Sequence, residues 1–143
     1  MTPIRFSYNR LETGVPSAGD LAYLPITLST GSGSLTRQGL LDSGSTVNVL
    51  PYTVGLALGF AWHQQTIPIA LTGSLSKVPA YGVIVTGKIE SFPPVELAFA
   101  WTQATEVPII LGQVNFFMEF DVCFFRSQAA FEIQPKGSVR RPT

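Results

Sequence analysis

Apolar and polar positions alternate with a period of two along most of this chain, in short runs broken by glycine and proline. Ile4, Phe6 and Tyr8 alternate and predict a short N-terminal strand, and Leu11 to Asp20 reads as a polar loop. Leu21 to Ser29 predicts the first main strand, Thr30 to Ser34 a glycine–serine turn, and Leu35 to Leu41 the next strand. Alternation resumes over Val47 to Leu50. Pro51 then suits the first turn of a short helix carrying Leu56, Leu58 and Phe60, with Gly59 to end it. Gln65 to Leu71 places Ile67, Ile69 and Leu71 on one face of a predicted strand. A turn-rich connection, Thr72 to Pro79, leads to a strand over Tyr81 to Ile89, rich in β-branched residues. Val95, Leu97, Phe99 and Trp101 share one face of the next strand. Pro108 to Leu111 is a short apolar strand of the kind buried on both faces. Val114, Phe117 and Met118 stand at helical spacing and predict a helix over Gln113 to Phe120. Val122 to Phe125 and Ala129 to Ile133 are two final strands joined at Arg126 to Gln128. From Pro135 the chain is basic and reads as a loose tail.

These elements divide the chain into an N-terminal segment, 1–20, one β-rich domain, 21–134, and the tail, 135–143. At 143 residues a single domain with a real core is expected. Eleven prolines and thirteen glycines favour many short strands over long helices. Charged residues are only 13% of the chain and the formal net charge is zero, so no basic stripe exists to neutralise phosphates, which excludes nucleic acid as a main partner. With 45% apolar residues, a surface partly hidden in an oligomer is expected. No stretch has the length of a membrane span and no leader-like apolar region is visible, which predicts a cytoplasmic protein. The single cysteine, Cys123, lies beside Val122 and Phe124 and is expected to be a buried thiol without a disulfide. One cysteine and one histidine, His63, argue against a zinc site, and no metal or other cofactor is expected.

The candidate chemistry lies in residues 40 to 51. Leu40 and Leu41 lead into Asp42, a small-residue turn follows over Ser43, Gly44, Ser45 and Thr46, and Val47 resumes an apolar strand. A carboxylate among hydroxyls and backbone N–H groups in such a loop is a place where acidity can be tuned. Asp42-Ser43-Gly44-Ser45-Thr46, preceded by Leu40-Leu41, resembles the catalytic loop of aspartic proteases, and Ile110-Leu111-Gly112 fits the family's second loop element. The loop occurs once in a chain about half a pepsin long. The resemblance, which covers roughly residues 22 to 133, is therefore to the single-domain, homodimeric retropepsin-like branch, nearer its cellular and bacterial members than its retroviral ones.

The resemblance implies a mainly β, closed-barrel acid-protease fold with one or two short helices, equivalent to one lobe of the bilobal enzymes. It implies an aspartic endopeptidase whose dyad is Asp42 from each of two chains, acting on a peptide or protein. Ser43 would brace the two loops across the dimer, and Gly44 would offer its backbone to the aspartate and the substrate. Ser45 would donate to the carboxylate, which favours the charged form and predicts a more acidic working range. The interval between the two loop elements holds a flap in this family, placed here near Thr72 to Ala80, with Gly73 at the bend and Ser74, Leu75, Val78 and Tyr81 toward the substrate. The same residues also fit an ordinary surface hairpin. Retroviral members carry an acid at the position of Thr46 and an arginine at that of Gln113; here a hydroxyl–amide hydrogen bond is expected to replace that ion pair. Two other readings stand beside the enzyme: a non-catalytic dimerisation or peptide-binding module of the same fold, and a small β-barrel in which Asp42 merely caps a turn.

Overall fold

The computed structural model describes residues 2–10 and 20–138. It holds nine strands and two short helices: β1 Ile4–Ser7, β2 Tyr23–Thr30, β3 Gly33–Leu41, β4 Asn48–Leu50, α1 Tyr52–Ala57, β5 Ala80–Lys88, β6 Val95–Thr102, β7 Ile109–Leu111, α2 Phe116–Glu119, β8 Phe120–Phe125 and β9 Ala130–Pro135. The expected mainly β architecture with a closed barrel and few short helices is the one the chain adopts. The barrel runs in the order β2-β3-β7-β4-β6-β5 and closes through β2 and β5; a three-stranded sheet, β1-β9-β8, stands beside it. No helix is long and apolar enough to cross a membrane among the described residues.

Period-two alternation fills the barrel. Leu24, Ile26 and Leu28 of β2, Val83 and Val85 of β5, and Leu97, Phe99 and Trp101 of β6 are all buried in one cluster. Phe120, Phe131 and Ile133 of the smaller sheet belong to that same cluster, so barrel and sheet share one core. Trp101 is its largest side chain. The indole stacks on Tyr52 at 5.6 Å, meets Trp62 edge-on at 5.1 Å and donates Nε1–H to the Tyr52 carbonyl at 3.1 Å. Gly55 lets α1 lie on that ring, since a Cβ there would stand 2.0 Å from the indole nitrogen.

Several boundaries differ from the pattern. The strand expected over Gln65 to Leu71 does not form. Pro68 makes only an isolated bridge with Tyr81, flanked by bonds from Gly82 N–H to the Ile67 carbonyl (2.7 Å) and from Ile69 N–H to the Ala80 carbonyl (2.9 Å). Proline at the centre has no N–H to carry a ladder onward, and Ile67 is left exposed rather than on a buried face. The helix expected over Gln113 to Phe120 shrinks to Phe116–Glu119: Val114 forms an extended, parallel bridge with Val47, its N–H on the Thr46 carbonyl, and Phe120 is already extended as the start of β8. Ala129 is left-handed (φ 49°), so the last strand starts one residue later than expected. That strand continues through Pro135, the register partner of Phe120. The start of the expected tail is therefore fixed: Lys136 donates to the Glu119 carbonyl and pairs with the Glu119 carboxylate at 3.1 Å. Cys123 is half-buried, not buried. The loop expected over residues 11 to 19 and the tail beyond residue 138 lie outside the described residues.

Candidate active site

Asp42 follows β3 directly, and its N–H donates to the Leu111 carbonyl of β7 at 3.0 Å. The turn after it is tight: Ser45 N–H reaches the Asp42 carbonyl at 3.1 Å, and Gly44 N–H donates to Asp42 Oδ1 at 3.0 Å. Asp42 is a half-buried residue, and Ser43, Gly44 and Thr46 around it are exposed. Strand β7 is held between the two strands that flank the loop, parallel to β3 (Leu41 opposite Leu111) and antiparallel to β4 (Val49 opposite Ile110). Ile110-Leu111-Gly112 is thus brought against the Asp42 loop, some seventy positions away in sequence. Gly112 has no alternative there, since a Cβ would stand 2.4 Å from the Val47 carbonyl oxygen and 2.7 Å from that of Ser45.

One buried side chain, absent from the sequence reading, ties this crossing together. Asn48 is fully buried. Its Oδ1 accepts the Gly112 N–H at 2.8 Å, and its Nδ2 donates to the Ala98 carbonyl at 2.9 Å and to Asn115 Oδ1 at 3.3 Å. Asn115 in turn accepts the Ala98 N–H and donates to the Glu96 carbonyl, both at 3.0 Å, extending the β6 ladder past the end of β4. The clue was present: Asn48 shares strand parity with buried Leu50, and a polar residue on a core-facing position needs partners.

Two expected hydrogen bonds go elsewhere. The Ser45 hydroxyl donates to the Val47 carbonyl at 2.7 Å, so its only proton is not on the Asp42 carboxylate, and the expected acid shift loses its basis. Gln113 does not meet the Thr46 hydroxyl. Its Nε2 donates to the Ser43 carbonyl at 2.8 Å, and Thr46 is engaged through its carbonyl by Val114 N–H at 3.0 Å. In both cases a backbone carbonyl of the loop takes the proton.

The expected flap residues divide. Gly73–Leu75 is a single 3₁₀ turn with Gly73 at φ +67°, Ser74 is exposed, and Val78 N–H closes back on the Leu75 carbonyl. Leu75 packs on a small apolar cluster of Val49, Leu71, Ala80 and Ala100, which Val47 and Ile110 also touch. Tyr81 lies within β5 with its ring 4.8 Å from Trp62, in the aromatic group around Trp101 and not in the turn. Of the other aspartates, Asp20 pairs with Arg10 at 3.0 Å, and Asp121 lies on β8 opposite Gln134. Among the described residues no group of three or more His, Cys, Asp or Glu side chains is placed to hold a metal ion.

No protein-family model and no curated protein matches the chain. Among solved structures it is similar to the EIAV protease complexed with the inhibitor HBY-793, at 18% identity and a TM-score of 0.47, over 69% of this chain and 88% of that one.

Proposed function

We propose that the protein is an aspartic endopeptidase that works as a homodimer, hydrolysing peptide bonds with Asp42 and Asp42 of the partner subunit. One observation carries this reading: the carboxylate of Asp42, on a tight Ser-Gly turn, accepts the Gly44 N–H at 3.0 Å and the loop is backed by the β3–β7–β4 crossing. Acid-type hydrolysis needs one carboxylate as base and one carboxylic acid as donor, and two such groups side by side cannot both ionise. The base takes a proton from the water held between them as that water attacks the scissile carbonyl. The acid hydrogen-bonds the carbonyl oxygen as it gains charge. A single chain holds one Asp-Ser-Gly loop, so a two-fold pair of chains completes the dyad. The exposed Ser43 and Gly44 leave the loop open to such a partner.

Incubation with a mixed peptide library from acidic to neutral pH, beside Asp42→Asn, tests the reading. The parent should cleave and the variant should lose at least about a thousandfold in rate, since one member of a catalytic unit removes most of its effect. Cleavage by Asp42→Asn at the parent's rate would sink the mechanism. Peptide binding without cleavage by the parent would identify the non-catalytic module instead. A statine-type peptide should inhibit, because its hydroxyl imitates the tetrahedral intermediate.

A further inference from the structure

The sheet β1-β9-β8 ends in β1 on one side and in β8 on the other. In an antiparallel ladder, residues alternate between exchanging both backbone bonds with the neighbouring strand and turning those groups away. One bond beyond each ladder fixes its phase here. Tyr8 N–H donates to the Ala129 carbonyl, so Ile4 and Phe6 bond β9 while Arg5 and Ser7 turn their backbone groups outward. Lys136 N–H donates to the Glu119 carbonyl, so Asp121, Cys123 and Phe125 bond β9 while Val122 and Phe124 turn theirs outward.

The β1 edge is closed to further pairing. Pro3, in phase with Arg5 and Ser7, has no N–H to offer. The Ser7 carbonyl accepts the Asn9 side-chain amide at 3.3 Å, and Arg5 puts a charge in a strand of only four residues. The β8 edge carries none of these devices. It is six residues long, Phe-Asp-Val-Cys-Phe-Phe, without proline, glycine or lysine. Phe120 N–H is bound to the Phe116 carbonyl, but the backbone groups of Val122 and Phe124 have no partner among the described residues. Phe124 is also 42% exposed. An apolar edge left unblunted is a template for another strand.

We propose that β8 is the seam between the two chains, paired antiparallel with β8 of the partner subunit about a two-fold axis at Cys123. A second copy is the occupant because a two-fold axis sets one edge against its own copy, and the dyad already calls for that axis. An axis perpendicular to the sheet keeps each face on its own side, so odd residues oppose odd and even oppose even. With Cys123 opposite Cys123 of the partner subunit, Val122 meets the partner subunit's Phe124, and every free N–H and C=O of these residues is used. An axis at Val122 would instead set Phe124 against Phe120 of the partner subunit, whose N–H is already bound, and would strand the Phe124 carbonyl. The chosen register also places Asp121 opposite the partner subunit's Phe125, a ring that carries a cation: within each chain the Arg5 guanidinium stands 5.1 Å from the Phe125 centroid. The seam is continuous with the Asp42 turn. Gln113 is bound to the Ser43 and Ser45 carbonyls, and residues 114–119, with Val114 and Met118 exposed, lead from it to β8. This seam rests on the homodimeric peptidase reading and names the surface that brings the partner subunit's Asp42 to the site.

Cys123 is the only cysteine of the chain, so oxidation with copper–phenanthroline tests the register. Residues opposite each other between hydrogen-bonded pairs have Cα atoms about 4.5 Å apart, within disulfide reach. At concentrations where sedimentation shows a dimer, most of the protein should run as a covalent dimer on non-reducing gels, and the yield should collapse in denaturing urea. Val122→Pro removes an outward N–H that the single chain does not use, so the chain should still fold while its dimer dissociation constant rises at least about tenfold. Phe124→Lys, at an exposed position, should act in the same direction and covers the case where the proline variant misfolds. No cross-link in a proven dimer, unchanged dimer affinity in the folded variants, or a chain that stays monomeric overturns the proposal. Because these measurements require no cleavage, a dimer with this seam that hydrolyses no peptide overturns the peptidase reading and leaves the seam standing.

Discussion

Asn48 shows how one side chain can hold a crossing that no pair of strands could hold alone. It satisfies the Gly112 N–H and the Ala98 carbonyl at once, where β4 is too short to do so by ladder bonds. Asn48→Ala should lower unfolding free energy by about 2 kcal/mol in urea denaturation, since it leaves the Gly112 N–H buried without a partner and removes the donor to the Ala98 carbonyl. The loop that carries Asp42 should loosen with it, and peptide cleavage should fall by more than the unfolded fraction explains. Tyr23 supplies a pH prediction. Burial raises its phenol above the ordinary 10.0, because the phenolate is poorly solvated there. The native state then holds its proton to higher pH than the unfolded chain does. That contribution to stability is complete below the unfolded value and is lost as pH rises from about 10 toward the native value. Tyr23→Phe should therefore show a shallower alkaline loss of stability than the parent.

At the scale of elements, α1 illustrates a stop signal that was readable in advance. Gly59 stands at φ +91°, its N–H bonds the Leu56 carbonyl at 3.0 Å, and Phe60 N–H bonds the Gly55 carbonyl at 3.1 Å. This is the doubled closure that a left-handed residue permits just past a helix end. Gly59→Ala should cost about 1–2 kcal/mol by thermal denaturation, from the left-handed strain, with the contact of its Cβ at 2.6 Å from Ser32 Cβ adding to it. The segment from Gln65 to Leu71 shows the opposite case. Its alternation over Ile67, Ile69 and Leu71 was genuine, and Ile69 and Leu71 do pack on one cluster. A strand nevertheless needs a continuous row of donors, and Pro68 interrupts it. Period alone could not weigh that single missing N–H against the rest of the pattern.

For the whole molecule, the low charge content shapes what an association of two chains can use. Among the described residues the ion pairs are Arg5 with Glu132, Arg10 with Asp20 and Lys136 with Glu119, all partly exposed and each of small worth. Thr46 and Gln113, next to the Asp42 loop, are both neutral. Val114 and Met118 nearby are exposed apolar side chains. A dimer formed around that loop would rest on apolar contact and neutral hydrogen bonds, which salt does not screen. Sedimentation equilibrium should give a dimer whose dissociation constant hardly changes between low and high salt. A steep weakening with salt would place the interface on charged groups instead, and monomers with full activity would remove the shared site.

Local rules settled what depended on neighbours in sequence: the β-rich class, the helix after Pro51 with its glycine stop, and Asp42 as the one carboxylate in a tight Ser-Gly turn. The buried asparagine was less plain, since Asn48 between Val47 and Val49 fits a surface position and only the burial of β4 on both faces puts it inside. Tertiary structure alone decided the rest, because it concerned which group lies nearest in space. The Ser45 proton goes to the Val47 carbonyl and the Gln113 amide to the Ser43 carbonyl, since turn geometry puts those oxygens within reach. Gly112 is required by the carbonyls of a loop far away in the chain, and Leu75 meets Val49 and Ile110 only once the barrel has closed. Pattern specifies which face is apolar. Distance, fixed by packing, selects the partner each polar atom takes.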